Sequence, residues 1–205
     1  MNRRRLLSSE PPPIPFWDDC VFYAPLNTAD NSDIISGVVP TIDSGSTAYY
    51  DANKKMWRLR ANNGNKSALR YTGLDMGLSV GQEITMVIDI EEIAMYDVYQ
   101  SLFATPPYNA GNCAYIRHDR YSSSTSPLSG RFCVTQTYRN SSGQWANFYK
   151  DGVFVRQVSW GNPNINTNII TICETASSSG RYYEVYASNA RIYNRAMSAE
   201  EVANL

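Results

Sequence analysis

The stretch TMVIDIEEI, Thr85 to Ile93, sets three carboxylates in four residues on an alternating apolar pattern. Alternate side chains of a strand share a face, so Asp89 and Glu91 lie on one side and Glu92 on the other. Two carboxylates on one strand face can serve glycoside hydrolysis, as nucleophile and acid/base held about 5–5.5 Å apart for retention. Other catalytic schemes have less to draw on. His118 is the one histidine, in YIRHDRY beside Asp119, so any Ser–His–Asp or Cys–His relay would depend on it. A lone histidine at a strand end reads as a surface or hydrogen-bonded structural residue. No Gly-rich phosphate loop and no His pair at metal-binding spacing occurs. For binding, the candidates are aromatic rings in polar loops: Tyr108 in PPYNAGN, Tyr121 in HDRYSSS and Trp160 in SWGNPN. An exposed ring offers a sugar a flat apolar face while neighbouring amides and hydroxyls take its hydroxyl groups. The alternative is that each ring covers the edge of the core or meets a neighbouring subunit.

The elements that must position these residues are short. Eleven β-type runs are separated by turn signals such as NNGN, KDG, NSSG and GNPN: CVFYAPL, KMWRLR, SALRYTG, ITMVIDIEE, VYQSLFA, CAYIRH, RFCVTQTY, WANFYK, VFVRQVSW, NIITICE and RYYEVYASNARIY. Many short strands with almost no helical periodicity predict a β sandwich or barrel, and no repeat of 20–50 residues suggests a propeller or solenoid. Asp151-Gly152 between two apolar runs predicts a hairpin whose turn positions take positive φ. At the C-terminus, Ser198 and Glu201 form an S-x-x-E capping box flanked by Met197 and Val202, a hydrophobic staple. A helix of two turns there is marginal alone and must dock on the sandwich.

The composition of the whole chain, 43% hydrophobic and 18% charged with 15 Tyr and a net charge of −1, fits one globular β-rich domain, placed at residues 16–205. Arg3, Arg4 and Arg5 precede Glu10 and EPPPIP, so residues 1–15 read as an extended basic arm in which Pro11, Pro12 and Pro13 favour a polyproline spacer. The rest of the chain is mildly acidic, which argues against a nucleic-acid surface. Leu6-Leu7 is too short for the apolar run of a signal peptide, and no stretch reaches membrane-spanning length. Four scattered cysteines, Cys20, Cys113, Cys133 and Cys173, have neither zinc nor disulfide-framework spacing and read as free thiols.

The ending ARIYNRAMSAEEVANL resembles the strand-and-short-helix ending of the laminin-G-like branch of concanavalin A-like jelly rolls. FYKDGVFVRQ resembles the hairpin that precedes it, FYAPLNTADNSD the opening strand, and ALRYTGLDMGLSVGQEITMVIDIEE the passage into a central strand, so the resemblance spans Asp18 to Leu205. It implies an all-β jelly-roll β sandwich with a short C-terminal helix. In the glycanases of this fold class the catalytic strand reads E-x-D-x-E, but the nucleophile's position here holds Val87. Valine can neither attack an anomeric carbon nor move a proton, so no catalytic residue is assigned, and Val87, Asp89 and Glu91 are read as one face of a scaffold strand. Several such jelly rolls bind Ca²⁺ at an edge. Asp30, Asn31 and Asp33 offer oxygen donors, but the same residues suit an Asx turn, and no metal or cofactor is assigned.

MNRRRLL with its spacer resembles the start of virion surface proteins, head fibres or tail-associated adhesins, of gut Bacteroidetes phages. That implies a non-enzymatic display protein on a virion assembled in the host cytoplasm. Its arm (Arg3, Arg4, Arg5, Pro11, Pro12, Pro13) would dock on other virion proteins, and its jelly roll would reach a host-surface glycan. Such proteins are usually homo-oligomers, here a dimer or trimer. The alternatives are a stand-alone lectin and a glycoside hydrolase built on Asp89 and Glu91.

Overall fold

The structure is a computed structural model that describes residues 14–62, 66–79, 82–96, 100–105, 114–137, 144–160, 168–175 and 182–205. Arg3, Arg4, Arg5, Pro11, Pro12, Pro13, Tyr108 and Cys113 lie outside the described residues.

Among the described residues, twelve strands form two antiparallel sheets. They are β1 (Cys20–Ala24), β2 (Thr47–Asp51), β3 (Met56–Asn62), β4 (Ser67–Thr72), β5 (Ile84–Met95), β6 (Ser101–Ala104), β7 (Tyr115–Arg117), β8 (Ser129–Thr137), β9 (Gln144–Lys150), β10 (Val153–Trp160), β11 (Ile169–Glu174) and β12 (Tyr182–Tyr193). The larger sheet runs β10-β9-β8-β5-β12-β3-β2, with β1 also pairing β12; the smaller runs β4-β11-β6-β7. All eleven runs expected from sequence contain a strand. TAYYD, strand β2, was not among them, because its central tyrosines show no apolar alternation.

The core lies between the sheets. Ile84, Met86, Ile88 and Ile90 of β5 point into it, with Phe22, Tyr71, Phe103, Phe132 and Phe148. Phe22 meets Tyr71 edge-on at 5.0 Å between ring centroids and Phe103 at 6.0 Å, and burying each such side chain stabilises by roughly 1.5–3 kcal/mol.

A second apolar cluster sits on the outer face of the large sheet. Cys20, Tyr23, Val87, Cys133, Tyr149 and Tyr193 are roofed by Met197 and Val202 and flanked by Ile14, Phe16 and Leu205. The roof is helix α1 (Ala199–Ala203), a single turn rather than the two expected. Val87 therefore points away from the core, as its parity requires, but it is fully buried and does not share the polar face expected for it with Asp89 and Glu91. Ile14 and Pro15, assigned to the arm by sequence, already touch the body: Ile14 packs on this cluster and the Pro15 carbonyl accepts from Tyr193 Oη at 3.2 Å.

A bulge in β12 makes this arrangement possible. Tyr183, Val185 and Ala187 face inward, but after the register shift between Ser188 and Arg191 the inward residues are Ala190 and Ile192. Asn189 carries the bulge at φ 59°, a left-handed conformation that Asn tolerates better than most residues. The flip turns Arg191 and Tyr193 outward, beneath α1.

Candidate functional site

An open groove of about 560 Å³ lies on the outer face of the large sheet. Asp89 and Glu91 of β5 and Arg131 of β8 contribute charge to it, the Asp151-Gly152 turn and the end of α1 border one side, and Met56 stands at another. The turn has the predicted hairpin geometry, with φ 51° at Asp151 and 78° at Gly152. It is sewn to β8: the Asp151 carboxylate accepts from Arg131 N at 2.8 Å and Asp151 N donates to Arg131 O at 2.8 Å. Gly130 has to be glycine, because its φ is 130° and a Cβ would collide with the Asp151 carboxylate.

The carboxylates of the groove are engaged. Asp89 takes a forked ion pair from Arg131, Nε at 2.6 Å and Nη2 at 3.0 Å, and a bond from Asn189 Nδ2 at 2.9 Å. Glu91 accepts Lys54 Nζ at 2.7 and 2.8 Å. With Val87 buried under α1, the position where a retaining nucleophile is expected is closed to any ligand. Glu92 lies on the inner face, as alternation predicts, and joins a buried network.

Next to the groove the same face carries a ledge of tyrosines and cations. Arg58 stacks with its Cζ 6.0 Å from the Tyr49 ring centroid and 5.9 Å from that of Tyr186, and Lys54 Nζ lies 5.1 Å from the Tyr186 ring. Glu184 holds Arg58 at 2.6 Å, and Tyr186 Oη donates to Asp51 at 3.2 Å. Tyr49 is 49% exposed. Rings interleaved with guanidinium, ammonium and carboxylate groups present flat apolar faces next to hydrogen-bonding groups, the chemistry that polyhydroxylated ligands require.

The sequence candidates fare differently. Tyr121 is not a free ring in a loop: it packs edge-on against Phe132 at 4.8 Å and Phe148 at 5.7 Å, and its hydroxyl donates to Cys133 O at 2.9 Å. It covers the edge of the core. Trp160 ends β10, its backbone paired with Gln144, and its side chain lies outside the description, as does all of Tyr108. The ledge was missed because Tyr49 sits in the strand the sequence pattern hid. Tyr186 was legible in principle, since in RYYEVYAS positions 184, 186 and 188 alternate with apolar inward residues.

In ADNSD, Asp33 is fully buried and its oxygens are consumed locally by Tyr23 N at 2.8 Å, Ser36 N at 2.9 Å, Ile35 N at 3.3 Å and the Ser36 hydroxyl. Burial pushes its carboxyl upward, and those bonds pull the other way. Asp30 accepts from Ser32 N at 2.9 Å. The loop is an Asx turn that caps backbone groups.

Fold and face together define a two-layer antiparallel β sandwich with an open, polar-aromatic sheet face. No protein-family model matches the chain and no curated protein matches it in sequence. Among solved structures it is similar to the binding domain of Paraclostridial mosquitocidal protein 1, at 15% identity and TM-score 0.59, over 91% of this chain and 51% of that one. It is also similar to botulinum neurotoxin type C, at 10% identity and TM-score 0.61 over 91% and 50%. A third is the binding domain of botulinum neurotoxin DC in complex with rat synaptotagmin II, at 9% and 0.57 over 91% and 50%. The chain spans about half the length of these structures, and at such identities the likeness is one of fold.

Proposed function

We propose that the chain is a non-enzymatic recognition domain that binds glycans of a cell surface through the outer face of its large sheet. The observation that carries this reading is the ledge of Tyr49, Arg58, Tyr186 and Lys54 beside the groove. The fold neighbours favour it: one is described with cell entry dependent on interaction with two ganglioside molecules, another is a binding domain in complex with rat synaptotagmin II. A glycan array on the purified chain, followed by titration of any hit, tests it. Tyr186→Ala and Tyr49→Ala should each weaken binding about tenfold or more, or about 1.4 kcal/mol, with thermal stability near wild type. Binding that ignores both changes and collapses with Trp160→Ala or Tyr108→Ala would move the site to the loops. Turnover of a bound glycan that disappears in the Asp89→Asn/Glu91→Gln double variant would overturn the non-enzymatic part.

A second proposal concerns where the domain works: display on a phage virion, docked to other virion proteins by Arg3, Arg4, Arg5 and Pro11–Pro13. It is favoured by the root of that arm, where Ile14 and Pro15 are pinned against the outer cluster, so a docked arm would hold the domain in a defined orientation. Density-gradient cosedimentation with fibre-depleted virions should retain the full chain and lose a version without residues 1–15. Equal behaviour of the two would remove the arm's role.

A further inference from the structure

The charges of the groove are matched one to one. Its lining holds three carboxylates, Asp89, Glu91 and Asp151, and one guanidinium, Arg131. Each carboxylate has its own cation: Arg131 forks onto Asp89, Lys54 reaches Glu91 at 2.7 Å, and Lys150 stands 3.6 Å from Asp151. On the ledge, Glu184 holds Arg58 in the same way. Arg60, two positions further along β3 and away from the groove wall at Met56, has no carboxylate partner among the described residues; its Nε donates to Asn62 Oδ1 at 3.3 Å.

This pairing decides what the groove can hold. A carboxylate, sulfate or phosphate on a ligand reaches Arg131, Lys54 or Lys150 only by displacing a carboxylate that is fixed to the sheet and stays beside it. Like charges set side by side at a binding face cost affinity and exclude the wrong partner. A hydroxyl meets the opposite situation. The Glu91 and Asp151 side chains are 43% and 56% exposed, and each carboxylate oxygen carries two lone pairs. A bound cation therefore leaves acceptor capacity facing the groove, and an O–H that donates to an ionised carboxylate makes a short, charge-assisted bond. Tyr186 is directly opposite Glu91 in the register of β12 with β5, so an aromatic face and a hydroxyl acceptor are neighbours on one surface.

We propose that the groove selects uncharged glycans with free hydroxyl groups and rejects their acidic counterparts, with Glu91 and Asp151 setting the selection. The inference rests on the glycan-binding reading of the same face: Tyr49 and Tyr186 hold the sugar ring, and the carboxylates decide which rings are held.

The test is a glycan array of matched pairs on the full chain, such as a galactose-terminated glycan with its sialylated form and a glucose oligomer with its glucuronate-capped form. For every pair that loses affinity in Tyr186→Ala, the neutral member should bind about tenfold or more tightly than the acidic one. The difference should shrink as salt is raised, since the screening length falls to about 3 Å at 1 M. Glu91→Gln/Asp151→Asn keeps the size of both side chains, suits the positive φ at the turn, and releases Lys54 and Lys150. It should cut the ratio to about threefold or less, with the unfolding midpoint near wild type. Acidic members bound as well as neutral ones, or better with a preference lost in Arg60→Gln, would overturn the proposal. So would a neutral preference that neither salt nor the double variant moves, because its origin would be steric. Glycan binding indifferent to Tyr49→Ala and Tyr186→Ala, or no binding to any pair, would overturn the recognition reading itself and the selectivity with it.

Discussion

Both ring nitrogens of His118 face acceptors. Nε2 lies 2.6 Å from Ser124 O, which can only accept, so Nε2 carries a proton. Nδ1 lies 2.9 Å from both oxygens of Glu92, which also takes Tyr183 Oη at 2.5 Å and Leu128 N at 2.6 Å. With acceptors at both ring nitrogens, the geometry favours the doubly protonated imidazolium form of His118. Burial alone would lower the histidine's pKa; the hydrogen bond and charge of Glu92, with Ser124 O and Asp119 adding to them, outweigh it and raise the value. A raised folded value stabilises the fold fully below the ordinary histidine pKa near 6.5, and that stabilisation is lost as pH rises through the folded value. Thermal unfolding followed across pH should therefore decline from neutral into alkaline solution in the wild type and lose that component in His118→Gln. His118→Ala should cost about 3–5 kcal/mol at neutral pH, the penalty of leaving a buried carboxylate uncompensated. A variant as stable as wild type at pH 7 would mean that the pair contributes nothing. The sequence pointed to a structural role for this residue, and alternation placed Glu92 inward. Their meeting was not legible, because β5 and β7 belong to different sheets and 26 residues separate the partners.

Helix α1 is too short to persist alone, and its stability comes from its ends. Ser198 Oγ accepts from Glu201 N at 3.3 Å and Glu201 accepts from Ser198 N at 2.9 Å, the capping box predicted from S-x-x-E. Sequence did not disclose Arg195, which forks onto Glu201 at 2.8 and 2.9 Å, reaches Asp19 at 2.7 Å and stacks on Phe16 at 5.2 Å. One guanidinium ties the C-terminal helix to the segment that precedes β1. Its bond to Glu201, with the Ser198 N–H, draws the Glu201 carboxyl down to about 2. A depressed folded value gives stability present above the ordinary carboxylate range and lost as pH falls toward 2. Ser198→Ala should cost about 1 kcal/mol. Arg195→Ala should remove the acid-side component tied to Glu201, seen as a shallower loss of unfolding midpoint between pH 5 and pH 2 (about the interval from free to folded carboxyl). An unchanged acid limb in that variant would assign the shift to another group. Local motifs such as the D-G turn and the capping box were readable because their partners lie three residues apart or fewer. The Asn189 bulge was not, since nothing in YYEVYASNARIY signals that parity reverses midway.

On the scale of the whole molecule, the sandwich has two apolar centres separated by the large sheet, and they need not open together. The core between the sheets holds Cys173; the outer cluster beneath α1 holds Cys20 and Cys133. All three thiols are buried and free, and burial raises each, Cys20 to about 12, so none reacts readily while its cover is in place. The outer cover consists of one helical turn, the residues before β1, Ile34 and Ile35 from the loop after it, and the bonds from Arg191 to Tyr193 Oη at 2.8 Å and to Leu205 O at 3.4 Å. Regions with few buried contacts open at a lower free energy than the global transition. In a Cys113→Ser background, Val202→Asp places a charge under the roof and should raise the labelling rates of Cys20 and Cys133 at least tenfold, leaving Cys173 protected. Mass spectrometry of timed thiol alkylation separates the three sites. If Cys173 is labelled in step with the other two, the centres unfold as one unit. If none is accelerated, the Val202 side chain does not seal the outer cluster. Selective labelling would make α1 a local lid whose opening reaches the groove as well, since Val202, Ala203 and Leu205 border it, and the glycan binding proposed for this face would then weaken in Val202→Asp although Tyr49 and Tyr186 are unchanged.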